Sequence, residues 1–290
     1  MHKFLRAIGF SDITKKDLEM ILDEVITRPE IMKITKDSEG NEFAELSGSF
    51  AANAGITVRG TYQEDDSFHM DYYYPYVFGT SITTNEQIDV EKHAEKESYA
   101  GVCDEVNLGV TLIFYIQNVA DYLAETNRHL SKIHYGAMLA GLSTEGKILC
   151  PVVERKKNDV PAIQKNDRHN QLIAQAREGD EDAIESLTLE DMDTYALLSQ
   201  RVMKEDIFSI VKSTFMPFGI ESDQYMVLGE IIDCVTMENK LTHEKLYGMK
   251  LLCNNIQFDV CINEKDLLGE PAIGRRFRGN VWMQGNLCLE

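Results

Sequence analysis

A chain of 290 residues exceeds one typical core and suits more than one domain, and its 43% apolar content is enough to build them. The 48 Asp plus Glu against 29 Lys plus Arg give a net charge of −19, a field that repels phosphate backbones and anionic membranes and disfavours general nucleic-acid binding. No apolar run approaches membrane-spanning length, the first residues carry no signal-peptide pattern, and the six cysteines show no CxxC spacing, so the expectation is a cytoplasmic protein with reduced thiols and no membrane partner.

In chain order, Thr14 and Asp17 form a capping-box pattern ahead of Leu18, Ile21, Leu22, Val25 and Ile26, which predicts a helix over 15–27 ended by Pro29. Strands are predicted at 31–35, 43–49 and 56–62. Phe68, Met70, Tyr72 and Tyr74 alternate with His69, Asp71 and Tyr73, so Tyr72 and Tyr74 are expected to pack inward and Tyr73 to share an exposed face with His69 and Asp71. Residues 109–117 read as a central strand, and Asn118 as the cap of a short helix. Two further strands, 137–142 and 147–153, flank a turn at 143–146.

Beyond the polar stretch 155–161 the period becomes helical, with helices expected around 172–179, 183–187, 188–203 and 207–211, the last closed by Pro217 and Gly219. From Tyr225 onward two-residue alternation returns. Asn254-Asn255 reads as a two-residue hairpin turn that sets Cys253 opposite Ile256 and Cys261 opposite Gly248, on opposite faces and therefore unable to pair with each other. Further strands are expected at 277–283 and 286–289. The fold class is α+β: a mainly antiparallel sheet with helices over 1–155, a helical connecting segment over 156–221 and a small OB-like β-barrel over 222–290.

The runs Glu205-Asp-Ile-Phe-Ser-Ile-Val, Phe215-Met-Pro-Phe-Gly219, Leu228-Gly-Glu-Ile, Asp259-Val-Cys-Ile-Asn263 and Gly269-Glu-Pro-Ala-Ile-Gly274-Arg275-Arg276-Phe-Arg278-Gly279-Asn-Val-Trp282-Met-Gln-Gly285 resemble a family of uncharacterised proteins of anaerobic Gram-positive bacteria, along the whole chain. The resemblance implies a bacterial cytosolic protein and carries over no catalytic or binding residue.

No recurring catalytic signature is present: no GxGxxG, P-loop, GxSxG or HExxH. His129 with His134, and His93 with Cys103, are too loosely spaced to predict a metal site, and no cofactor is expected. Arg275, Arg276 and Arg278 could hold a carboxylate or phosphate, and Trp282 could stack a base. Acids outnumber bases from Ser222 onward, which favours pairing of these arginines with Glu270 or with the acidic helices. Tyr73, His69 and Asp71 are the other candidate contacts. The leading expectation is a non-enzymatic binding or interaction module, with a protein partner favoured over nucleic acid. An enzyme using Asp71 and His69 on a small neutral or cationic molecule is the alternative, and single-strand nucleic-acid binding the third reading.

Overall fold

The computed structural model describes residues 1–92, 96–128, 134–152, 175, 180 and 211–289. Contacts divide the chain into two compact units, Met1–Leu149 with Ser213–Glu290, and Cys150–Lys212. Apart from Gln175, which is helical within the expected 172–179 helix, the helices expected between 172 and 210 lie outside the described residues. Everything that follows concerns the first unit.

A 3-10 turn, Lys3–Ile8, leads into α1, Lys15–Thr27. The helix begins where the capping box put it: Thr14 Oγ1 accepts from the Asp17 amide at 3.2 Å, and Leu18, Ile21, Leu22 and Val25 form its buried stripe. Four antiparallel strands follow, β1 Ile31–Lys36, β2 Glu42–Ala51, β3 Ala54–Tyr62 and β4 Phe68–Val77, in that spatial order. They form sheet A. One face carries Ala44, Leu46, Ile56 and Val58, which share a core with α1 and the N-terminal turn.

A larger sheet takes β5 Thr84–Lys92, β6 Tyr99–Glu105, β7 Val110–Ile116, β8 His134–Leu149, β9 Thr214–Pro217, β10 Gln224–Glu238, β11 Lys245–Cys253, β12 Ile256–Asn263, β13 Leu267–Leu268 and β14 Arg276–Leu287. Helix α2, Val119–Asn127, follows β7. β8 and β14 pair antiparallel from Ala137–Leu287 to Leu149–Arg276 and form a long central ribbon. The free edge of β8 receives β5 at one end and β12 further along, while that of β14 receives β7 and β10. β6 joins β5 to β7, and β11 joins β12 to β10. The pairings therefore trace two five-strand rings that share the ribbon.

Alternation along the ribbon sorts its side chains. Leu139, Phe277, Val281 and Met283 face the ring interiors, whereas Ala140, Leu142 and Trp282 face the core beneath sheet A.

Several expectations change. Strands β5 and β6 were not foreseen: β5 is Glu- and Asp-rich and carries only Ile88 as a fully buried anchor. The two strands expected around 143–146 are one strand, β8, with a register shift opposite Asn280/Val281 in place of a turn. The strands expected at 277–283 and 286–289 are likewise one, β14. The stretch before Pro217 is strand β9 paired to β10, where the end of a helix was expected. Among the described residues the C-terminal strands do not close on themselves as a separate barrel; β12 and β14 are bridged by β8, from the first half of the chain. The Asn254-Asn255 turn is as expected. Both residues have positive φ, 46° and 67°, Cys253 lies opposite Ile256 and Cys261 opposite Gly248, and the two cysteines fall in different cores.

Candidate functional site

The second face of sheet A is polar and buried. Strand register lines its residues up in two rows. Ile31, Ser47, Thr57 and Tyr74 are direct neighbours across β1 to β4, and Lys33, Glu45, Arg59 and Tyr72 form the next row. Ser47, Thr57, Tyr74, Glu45 and Arg59 are all buried, Arg59 completely. Burying such a set requires every donor to be matched.

Arg59 is matched in full. Its Nε donates to Glu45 Oε1 at 2.7 Å, and Nη1 donates to the hydroxyls of Tyr115 at 2.7 Å and Tyr72 at 3.0 Å. Nη2 donates to the carbonyls of Ile116 at 3.0 Å and Gln117 at 2.8 Å, with the Tyr74 hydroxyl at 3.1 Å. Burial opposes the charged guanidinium, but the oxygens of Tyr115, Tyr72, Tyr74 and Glu45 outweigh it and hold the Arg59 pKa well above its usual value. Burial also raises the phenols of Tyr74 and Tyr115, against the pull of Arg59, so both stay neutral.

The second oxygen of Glu45 accepts from the Ala120 amide at 2.8 Å, in the first turn of α2. This bond replaces the cap expected from Asn118, which makes no side-chain cap. Asn118 exchanges two bonds with the backbone of Leu287 instead, at 3.0 and 2.9 Å, and so ties the start of α2 to the end of β14.

Between this polar face, the start of α2 and the ends of β8 and β14 lies a cavity of about 330 Å³, at the small end of the range for ligand pockets. Ser47 and Thr57, whose hydroxyls lie 2.8 Å apart, line it together with Tyr74 and Glu45. Phe78, Met138 and Leu287 supply apolar wall. Ile31 stands half exposed at the rim, where Lys33 and Asp121 pair at 2.6 Å. Gln117 also lines the cavity. Its Nε2 donates to Val77 O at 2.9 Å and to Gln284 Oε1 at 2.8 Å, while its own Oε1 is buried with no hydrogen-bond partner among the described residues.

The residues singled out from sequence fall elsewhere. The extra residue Asp71 makes a bulge in β4, so Tyr73 lies opposite Val58 but His69 opposite Thr61. Tyr73 and His69 therefore sit on opposite faces of sheet A, contrary to strict alternation. A Cβ at Gly60 would stand 2.1 Å from the His69 carbonyl oxygen, so the bulged strand can approach there only because Gly60 has none. Tyr73 accepts from the His2 amide at 3.3 Å, and the Asp71 carbonyl accepts from Lys96. Tyr72 and Tyr74 do point inward, but onto the polar face.

Arg275 is exposed and donates to the backbone carbonyl of Glu270, itself exposed, at 2.6 Å. Arg276 is buried and Arg278 half buried. Trp282 is buried: its ring stacks on Phe4 at 5.3 Å, its Nε1 donates to Asp223 at 2.7 Å, and it neighbours Tyr115 of the Arg59 cluster, 5.4 Å away. Arg278 stands eight residues along β14 from Asn286 at the cavity, roughly 25 Å at strand rise, so the arginines and the tyrosine strand are not brought together. His93 and His129 lie outside the described residues. Among the described residues no group of three or more His, Cys, Asp and Glu could hold a metal ion, and no helix is long and apolar enough to cross a membrane.

None of Glu45, Ser47, Thr57, Arg59 and Gln117 stood out in the sequence. Their alternation with Leu46, Ile56 and Val58 is the ordinary mark of a half-solvated strand. Only the placement of α2 over that face shows it to be covered.

The fold and site define a β-dominated α+β protein with a polar-floored cavity on one sheet face. A family model described as "Domain of unknown function, E. rectale Gene description (DUF3881)" matches residues 5–285, and the chain belongs to that family. No curated protein and no solved structure matches it.

Proposed function

We propose that the protein is a cytosolic, non-enzymatic binding module that receives a small molecule in the cavity on the polar face of sheet A. The observation that carries this reading is the cavity itself, floored by the buried Ser47 and Thr57 hydroxyls and walled by Phe78, Met138 and Leu287. A binding role is favoured over acid–base catalysis because the buried carboxylate is already committed. Glu45 accepts from Arg59 on one oxygen and from Ala120 on the other, so neither oxygen is poised to take a substrate proton. Nucleic-acid stacking on Trp282 is disfavoured by its cover of Phe4 and its bond to Asp223. We read β10, β11, β12 and β14, closed by β8 from outside the expected 222–290, as an OB-like ring, with Arg276 and Arg278 serving internal contacts in it.

The test is ligand-observed NMR with a fragment collection of mixed charge, run on the wild type and on Ile31→Trp, which narrows the mouth from an exposed edge strand. Hits that the variant loses while its melting curve is retained are expected. Absence of any hit, or hits that all survive the substitution, would overturn the proposal.

A further inference from the structure

The state of each polar group around the cavity limits what can enter it, given the binding role proposed above. Both charges on the floor are spent on each other, since Glu45 and Arg59 form a buried ion pair. Both charges at the rim, Lys33 and Asp121, are paired as well. An incoming ion would shed water without meeting a free countercharge, which is costly.

The orientation of the Gln117 amide follows from its neighbours. Gln284 Oε1 already accepts from the Val77 amide at 3.4 Å and from Gln117 Nε2, while Gln284 Nε2 donates to Pro75 O. Turning the Gln117 amide over would set its oxygen against the oxygens of Val77 and Gln284. Gln117 therefore has no free N–H to give, and the hydroxyl oxygens of Ser47 and Thr57 are the polar groups the floor offers. The Ser47 and Thr57 hydroxyls, 2.8 Å apart, share one hydrogen bond, and their oxygens keep lone pairs for a further donor. Ile31, Phe78 and Leu287 provide apolar surface beside these groups.

We infer that the cavity takes an uncharged amphipathic molecule with an apolar ring or chain, whose N–H or O–H donates to the Ser47–Thr57 hydroxyl oxygens. A primary or cyclic amide on an apolar ring has this chemistry.

Three molecules of nearly one shape test it: benzamide, neutral with a donor; benzoate, an anion without one; and benzamidinium, a cation with donors. Affinities are measured by ligand-observed NMR titration on the full chain and on Ile31→Trp. Benzamide is expected to bind with a dissociation constant on the order of 1 mM, the two ions at least about tenfold more weakly, and benzamide binding is expected to be lost in Ile31→Trp. Benzoate or benzamidinium binding as well as benzamide, and lost in the variant, overturns the ligand class while leaving the binding role standing. Benzamide binding that survives Ile31→Trp overturns the site. No binding of any of the three overturns the class, and the binding role then stands or falls on the wider fragment collection.

Discussion

Glu45 on β2 and Arg59 on β3 face each other directly across the strand register, with Arg59 Nε 2.7 Å from Glu45 Oε1. The pair does more than neutralise two buried charges. Arg59 holds the carbonyls of Ile116 and Gln117 at the end of β7, and Glu45 holds the Ala120 amide at the start of α2. Sheet A is thus fastened to the β7–α2 junction at the place where the cavity opens.

Breaking the pair from one side leaves a buried charge alone. Arg59→Met is expected to destabilise the protein by about 3–5 kcal/mol. The double variant Arg59→Met/Glu45→Leu is expected to lose less than Arg59→Met alone, because no isolated charge remains. Urea denaturation followed by circular dichroism checks both; equal losses would show that the backbone bonds, not the carboxylate, dominate.

His2 gives a pH signature. Burial, with Lys3 and the N-terminal amine adding to it, lowers its pKa from 6.5 to about 4. Between pH 6.5 and 4 the unfolded chain takes up a proton that the folded chain refuses, so this residue makes stability fall as pH drops through that window. His2→Asn, which keeps an acceptor for the Phe4 amide, should remove that part of the slope. Melting temperatures of both proteins from pH 7 to 4 read it out, and identical slopes would contradict the assignment.

The Asn254-Asn255 turn requires two left-handed residues. Asn255→Ala is expected to cost about 1–2 kcal/mol, while Asn255→Gly should be neutral or mildly stabilising. Denaturation midpoints separate the two, and similar losses would mean that the Asn side chain, rather than the backbone angle, matters.

Trp282 is the chain's single tryptophan, so its fluorescence reports one site. With its ring stacked on Phe4, emission should be blue-shifted and unchanged by single-stranded oligonucleotides at low salt. Phe4→Ala should red-shift it. Quenching of the wild type by an oligonucleotide would revive the nucleic-acid reading.

Helix α1, the Asn254-Asn255 hairpin and the separation of Cys253 from Cys261 were legible in the sequence because each depends on neighbours a few residues away: a cap, a turn geometry, an alternation. β5 was not legible, since a strand with few apolar residues owes its place to the partners on either side, and β6, with Tyr99, Ala100, Val102 and Cys103, is too short an apolar run to declare its pairing alone. The β4 bulge was hidden too. Asp71 looks like any alternating residue until Gly60 and the His69 carbonyl are seen to meet. The candidate site was the least visible part, because a row of Glu, Ser, Thr and Arg along a strand has the same pattern whether it faces water or a helix.

By itself, the order of residues determined the strongly acidic balance, the strand-rich α+β class and the local turns and caps, all of which rest on composition or on short-range sterics. The tertiary structure alone decided that β8 closes the C-terminal strands, that Glu45 caps a helix begun 74 residues later at Val119, and that the hydrophilic side of sheet A is roofed over. Those outcomes depend on which distant segments come to lie together, and no periodicity within a segment encodes its distant neighbour.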